Sequence, residues 1–300
     1  LDEYLYGVVA SEMPATFDIE ARKYGERRRG MRSIVSFDMD MTLLDHETFE
    51  IPDSAMKALE MLRERYVVVL ATGRDMDSHY SRNLRELVKP EAIVHTNGTK
   101  VTVGDKVIYE SFMERELKER LLTFARDDVV GVGVTLWFED FYFDWEGVTE
   151  FDDQRWGECG RRYCDPWKLL DMDVPSMCYI GGPEGAARLE RAFEDLKFPL
   201  FAERRGADVI EKKNSKAKGL RMVCDYFGST MEEAYAFGDS MNDYEIIQAV
   251  GVGVAMGNGD PRLKEVADYV APHIRDDGIY RACVHLGLIA DAHDTGGGRA

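Results

Sequence analysis

Short apolar runs alternate with amphipathic stretches along most of the chain. Ile34-Val35-Ser36-Phe37, Tyr66-Val67-Val68-Val69-Leu70-Ala71, Ala92-Ile93-Val94 and Ala234-Tyr235-Ala236-Phe237 are nearly continuous in apolar character. They are too short for helices and suit strands buried on both faces. Between the first two, Met56, Leu59, Met61 and Leu62 fall on one face of a helix expected over about 53–65. A second helix is expected over about 77–88, stopping before Pro90. The residues around Gly104-Asp105 read as a hairpin turn between two further strands. Strands and helices alternate, and polar residues gather at each strand's carboxyl end. That pattern predicts an α/β fold, a doubly wound, mostly parallel Rossmann-like sheet.

The middle of the chain has another rhythm. A helix is expected over about 113–126, then aromatic strands over 132–138 and 141–145. An irregular stretch holding Trp156 and Trp167 follows. Next come a strand at 177–180, a helix over about 184–196 and a strand-like segment over 200–210. The block 111–207 therefore reads as an α+β cap domain inserted into a Rossmann-like core made of 31–110 and 208–292. Its aromatic residues are expected mainly in its own core, with Trp137, Asp140 and Trp145 on its strands. After the block the α/β rhythm resumes. Ser215-Lys216-Ala217-Lys218-Gly219 opens a helix to Phe227, and a strand ends in Gly238-Asp239-Ser240-Met241-Asn242-Asp243. A short helix over 244–250 leads into Gly251-Val252-Gly253-Val254. The Gly-rich tail, 293–300, is expected to be loose.

Composition narrows the partners. A hydrophobic fraction of 45% over 300 residues permits proper cores. The formal net charge of −18 argues against nucleic acid and against an anionic membrane, since both require clustered Lys and Arg. A small anionic substrate stays open, because a cation and a few basic side chains can invert the local field. No run approaches the roughly 18 apolar residues of a membrane span, and the first residues lack the apolar region of a signal peptide. Five cysteines without tight pairing read as reduced thiols, which predicts a cytoplasmic location. Cys159 and Cys164 do not have the C-x-x-C spacing of a zinc knuckle. His79, His95 and His273 read as ordinary surface or loop residues.

The candidate chemistry lies at the strand ends. Asp38 and Asp40 follow the first apolar run, and residues two apart on a strand point the same way. Two crowded carboxylates repel, so a divalent metal compensates one and a proton the other. D-x-D alone leaves the chemistry open, because glycosyltransferases also hold metal with it. Neither a P-loop nor a complete dinucleotide fingerprint occurs. The other strand ends add Thr72, Lys216, Asp239 and Asp243. Together these residues make a set suited to phosphoryl transfer through an aspartyl-phosphate.

The order D-x-D-x-T, T-G-R, Lys at a helix start and G-D-x-x-N-D resembles the haloacid dehalogenase superfamily of phosphohydrolases. The hairpin after Asn97-Gly98, the insert between Thr72 and Lys216 and the ending G-V-G-V-A-M-G-N resemble its Cof-type, class IIB branch. The resemblance covers about 31–290. It departs at Met41, where the branch usually has Gly. The resemblance implies Asp38 as nucleophile and Asp40 as general acid and base, with Thr72 and Lys216 holding the transferring phosphoryl group. It implies Mg2+ as cofactor, with metal ligands Asp38, Asp40 through its backbone carbonyl, Asp239 and Asp243. Arg74 and Asn242 are weaker matches for binding phosphate or substrate. Lys216 is preferred over Lys218 because its distance to Gly228 fits the family's helix length. The implied substrate is a small phosphorylated metabolite, a sugar phosphate above all. A phosphomutase of the superfamily, or a non-catalytic relative that binds phosphometabolites, are the alternatives.

Residues 1–14 are similar to the opening of the sporulation stage II protein D family. Such a short fragment cannot bury a core. Residues 1–30 are therefore expected to lie outside the enzyme proper, and a chain starting at Met31 is expected to fold and turn over like the full one.

Overall fold

The fold was established from a computed structural model, which describes residues 33–78, 81–128, 130–136, 139–156, 162–201 and 205–291. The expectations for 1–30, Met31, His79, Trp137, Cys159 and 293–300 fall outside these. In the first stretch β1 (Ile34–Phe37), α1 (Asp53–Arg63), β2 (Val67–Ala71), α2 (Arg82–Val88) and β3 (Ala92–His95) alternate, and the hairpin β4 (Lys100–Val103) and β5 (Lys106–Glu110) follows. The middle of the chain forms α3 (Arg115–Asp128), β6 (Gly131–Leu136), β7 (Glu139–Tyr142), α4 (Trp145–Trp156), β8 (Arg162–Tyr163), β9 (Met177–Ile180), α5 (Pro183–Ala192), β10 (Leu196–Lys197) and β11 (Gly206–Glu211). The last third supplies α6 (Lys216–Phe227), β12 (Tyr235–Gly238), α7 (Tyr244–Ala249), β13 (Val252–Ala255), α8 (Pro261–Val266), β14 (Tyr269–Val270) and α9 (Gly278–His285).

Two sheets organise these elements. The larger has the order β14-β13-β12-β1-β2-β3-β4-β5. Its strands are parallel from β14 to β3, and β4 and β5 are antiparallel additions. The strands are apolar on both faces because both faces are covered. Leu59 and Leu62 of α1 and Ile279 and Ala282 of α9 close one side. Leu220 and Val223 of α6, Ile246 and Ile247 of α7 and Leu263 of α8 close the other. The fold is thus a Rossmann-like α/β fold, in which ligands bind beyond the strands' carboxyl ends.

The smaller sheet has the order β10-β11-β9-β6-β7-β8. Val132, Phe141, Met177, Tyr179, Ala207 and Val209 point to one face and share a core with Leu121 of α3 and Leu189 of α5. Each of these strand residues alternates with a neighbour on the opposite face. The boundary expected at 207 falls inside β11, which continues to Glu211.

Five sequence expectations change. The strand placed over 141–145 ends at Tyr142, and Trp145 starts α4 instead. Much of the stretch read as irregular is this helix. Its buried side is marked by Val148 and Phe151, too little apolar signal to stand out in sequence. The helix expected from 77 begins at Arg82, because Asp75 Oδ1 accepts from Asp77 N at 3.1 Å and turns the chain. The helix expected over 184–196 ends at Ala192, and Leu196 joins the sheet. His95 is fully buried rather than on the surface, its Nδ1 accepting from Met76 N at 3.2 Å and its Nε2 facing Thr102 Oγ1 at 3.1 Å.

Candidate active site

Four strand ends and one helix start converge at the carboxyl edge of the large sheet. Asp38 directly follows β1, and its N–H is fixed by the Phe237 carbonyl of the neighbouring β12 at 2.9 Å. Thr72 follows β2, fully buried, with its N–H on the Val94 carbonyl at 2.9 Å. Asp239 follows β12. Lys216 is the first residue of α6, which is capped by the Ser215 side chain accepting from Lys218 N and closed by Gly228 in the left-handed conformation. Gly98, after β3, lets α6 start here. Its φ is +92°, and a Cβ would stand 2.1 Å from the Ser215 carbonyl oxygen.

Lys216 is the hub. Its fully buried Nζ lies 2.8 Å from Asp38 Oδ1 and 2.6 Å from Asp243 Oδ1, and it donates to Asn242 Oδ1 at 3.2 Å. Lys218 instead donates to the Tyr109 hydroxyl and the Lys213 carbonyl, away from this centre. Burial alone pulls the Lys216 ammonium toward neutrality, but the carboxylates of Asp243 and Asp38 outweigh it and hold its pKa above the ordinary value.

Asp38, Asp239 and Asp243 are all buried, and each offers an oxygen within 4.8 Å of the others'. Burial, only partly offset by Lys216, pushes the Asp38 carboxyl up to about 7, with Asp243 and Asp40 adding repulsion. Burial and the charges of Asp38 and Asp243 raise Asp239 well above its ordinary range. Three buried acids facing one cation leave excess negative charge, and an all-oxygen donor set is what a hard divalent ion requires. The residues therefore fit Mg2+. Thr42 Oγ1 donates to Asp239 Oδ1 at 3.3 Å. Asp243 is already engaged, since its Oδ2 accepts from Asp239 N at 3.0 Å and Ser240 N at 3.2 Å.

The Asp40 side chain stands apart from the three. Arg74 grips it with Nε to Oδ2 at 2.7 Å and Nη2 to Oδ1 at 2.6 Å, while His46 Nε2 lies 2.6 Å from Oδ1. Burial would raise the Asp40 pKa, but these partners prevail and hold it well below the carboxylate range. Thr72 Oγ1 accepts from Arg74 N at 3.1 Å.

Three residues at the site carried no sequence signal strong enough to single them out. His46 lies six positions beyond Asp40, on no regular spacing. Asn97 and Asp208 meet Asn242. Asn242 Nδ2 donates to Asn97 Oδ1 at 3.1 Å and reaches Asp208 Oδ2 at 3.5 Å, while Asn242 Oδ1 also accepts from Ser240 Oγ at 2.8 Å. Asp208 was legible only as a lone acid in an apolar strand. A separate trio, Asp75, Asp77 and His95, already has protein partners. Lys100 pairs with Asp77 at 2.8 Å, Arg85 also pairs with Asp77, and Met76 N donates to His95.

Known proteins share this architecture. A family model described as haloacid dehalogenase-like hydrolase matches residues 35–283. The HMP-PP phosphatase of Klebsiella pneumoniae (strain 342) is 28% identical over 245 residues, covering 78% of this chain and 87% of that protein. The 5-amino-6-(5-phospho-D-ribitylamino)uracil phosphatase YitU of Bacillus subtilis (strain 168) is 26% identical over 261 residues, covering 83% and 95%. The solved structure of a subclass IIB sugar phosphatase, BT4131, superposes with a TM-score of 0.77 at 26% identity, covering 86% of this chain and all 100% of that one. Among the described residues, no helix is long and apolar enough to cross a membrane.

Proposed function

The chain belongs to the haloacid dehalogenase-like hydrolases, and from this premise we propose that it is a Mg2+-dependent phosphatase of small phosphorylated metabolites, sugar phosphates foremost, working through an aspartyl-phosphate. The observation that carries the reading is Lys216 buried between Asp38 and Asp243, with Asp239 beside them. A cation and an acid cluster buried together would be costly in a purely structural role. They suit a phosphoryl group that must meet a carboxylate nucleophile under charge compensation.

The Asp38 carboxylate attacks phosphorus, and its P–O bond forms as the ester oxygen leaves. Asp40 gives that oxygen a proton. Asp40 then takes a proton from water, whose oxygen attacks the phosphoryl group, and Asp38 and inorganic phosphate are released. Lys216 and Thr72 bind the non-bridging oxygens. Arg74, paired with Asp40 and within electrostatic reach of Asp38, would bind the same group. Asn242, bonded at both ends of its amide, orients Lys216. Mg2+ would be held by Asp38, Asp239 and the Asp40 carbonyl, with Asp243 through water, and would supply charge neutralisation. The smaller sheet acts as a cap that sets specificity and excludes water. The reduced thiols of Cys164, Cys224 and Cys283 support a cytoplasmic setting.

A phosphate-release screen over sugar and nucleotide phosphates, with Mg2+ and with chelator, tests this. Mg2+-dependent release favouring sugar phosphates is expected. Turnover unaffected by chelator would remove the metal, and phosphate transfer to a second position without release would favour a mutase.

A further inference from the structure

Asp208 is an acid from the smaller sheet placed against the phosphate-handling centre of the larger one. In β11 it alternates with Ala207 and Val209, which are fully buried in the smaller sheet's own core. Its side chain therefore lies on the other face. The register extends that face across the sheet. Asp208 pairs with Cys178, Cys178 with Gly133, and Gly133 with Tyr142. One step further along the same face are Thr135 and Asp140, joined by a 2.6 Å hydrogen bond. One face of this sheet is thus an apolar core, and the other sets Asp208, Thr135 and Asp140 among the buried side chains of Tyr142 and Ile210. Asp208 is where that second face meets the catalytic edge, through Asn242 and the Asn97 amide.

The chemistry of that position is specific. Lys216 attracts the Asp208 carboxyl and Asp40 repels it, so it stands within electrostatic reach of both. An acid so near a phosphate site cannot serve the phosphate, which it repels. Beyond holding Asn242 and Asn97, it can serve the part of the substrate that leaves. A carboxylate offers about four acceptor positions, and Asn97 and Asn242 do not exhaust them. Burial, its largest influence, raises Asp208 to about 6, so near neutral pH it is mainly an acceptor. Resting on the phosphatase reading above, we propose that Asp208 is a specificity-determining residue that accepts a hydrogen bond from a hydroxyl or amino group on the leaving portion of the substrate. The enzyme then prefers phosphate esters of polyols and amino alcohols over esters whose leaving group carries no donor.

The test compares kcat/KM for glucose 6-phosphate and O-phosphoethanolamine with kcat/KM for phenyl phosphate and p-nitrophenyl phosphate. Wild type, Asp208→Asn and Asp208→Ala are measured at pH 7.5 with Mg2+, about 1.5 units above the carboxyl's titration. The readout is the ratio of donor-bearing to donor-free substrate within each protein, so a general loss of activity cancels. In Asp208→Ala the ratio is expected to fall about 10–100-fold, the scale of a lost hydrogen bond to a charged group. In Asp208→Asn, which retains an acceptor but not the charge, the loss should be larger for the ammonium ester than for the sugar phosphate. A ratio within about twofold of wild type in a folded Asp208→Ala protein overturns the proposal and leaves Asp208 as a support for Asn242. Wild-type protein that hydrolyses none of the four esters with Mg2+ overturns the phosphatase reading itself, and this proposal with it.

Discussion

Arg74 holds both carboxylate oxygens of Asp40, at 2.7 and 2.6 Å. A carboxylate gripped by a planar guanidinium fork is kept ionised, yet the proposed reaction needs Asp40 to deliver a proton. The two fit together if the arriving phosphate takes Arg74 for itself and releases Asp40. Arg74→Ala should then raise KM and move the high-pH limb of the kcat/KM profile, which reports the free enzyme, upward, since a carboxyl that loses its cation holds its proton to higher pH. Arg74→Lys keeps the charge without the fork and should move the limb less. Steady-state pH profiles of the variants decide this, and identical profiles would detach Arg74 from Asp40's protonation.

Asp38→Asn should abolish turnover without loss of stability. An amide is a poor nucleophile, but Lys216 retains Asp243 at 2.6 Å, so no buried charge is orphaned. Removing a partner from a buried pair costs about 3–5 kcal/mol only when the other is left alone. Asp40→Asn, a lost general acid, should cost about 10²–10⁴-fold in kcat. Phosphate release near the wild-type rate in Asp38→Asn would refute the aspartyl-phosphate.

Much of this site was legible in sequence because a parallel strand's carboxyl end is marked by the abrupt change from apolar run to polar residue. Asp38, Thr72 and Asp239 each stand at such a break, and Ser215 and Gly228 mark the ends of the helix carrying Lys216. Helix length distinguishes Lys216 from Lys218 in sequence, and the two side chains meet different partners, Asp38 and Asp243 for the first, Tyr109 and Lys213 for the second. Elements with weak periodicity were harder. α4 buries Val148 and Phe151 but is otherwise rich in acids and aromatics, and the aromatic Trp145 suggested a strand. Asp208 was beyond sequence reading for another reason. Strand alternation says that Asp208 and Val209 face opposite ways, but only the packing of β11 says which way is toward Asn242.

Mg2+ should stabilise the protein, and more at pH 8 than at pH 6. Asp38 is raised from 3.8 to about 7 and Asp239 is raised in the same direction. A raised carboxyl binds more protons folded than unfolded, so its contribution to stability is present at low pH and declines as pH rises from 3.8 through about 7. The metal-free protein should therefore lose stability across pH 6–8, where the cation must displace fewer protons to bind. At 100 times its Kd, a ligand adds about 2.7 kcal/mol, or roughly 4–5 °C in Tm for a chain of this size. Thermal melts with Mg2+ and with chelator at both pH values check the sign. In Asp239→Asn the Mg2+ shift should shrink at either pH, and a full shift there would place the ion elsewhere.

Met41 occupies a left-handed backbone conformation, φ 56°, at the position where the related branch usually has Gly. The conformation is fixed from both sides. Met41 N donates to the Leu44 carbonyl at 2.8 Å, and Asn258 Nδ2 donates to the Met41 carbonyl at 2.7 Å. An L-residue pays roughly 1–2 kcal/mol there, while glycine gives back about 0.5–1 kcal/mol in unfolded-chain entropy. Strain relief wins by a small margin, so Met41→Gly should raise stability by about 0.5–1 kcal/mol and Tm by about 1–4 °C. Met41→Val, β-branched and least tolerant of positive φ, should lower it by more than that. Equilibrium denaturation of the three proteins orders them as Gly above Met above Val. A Val variant as stable as the parent would mean that the loop between Asp40 and Leu44 can relax out of this conformation, and that its geometry is not held by the Asn258 and Leu44 contacts.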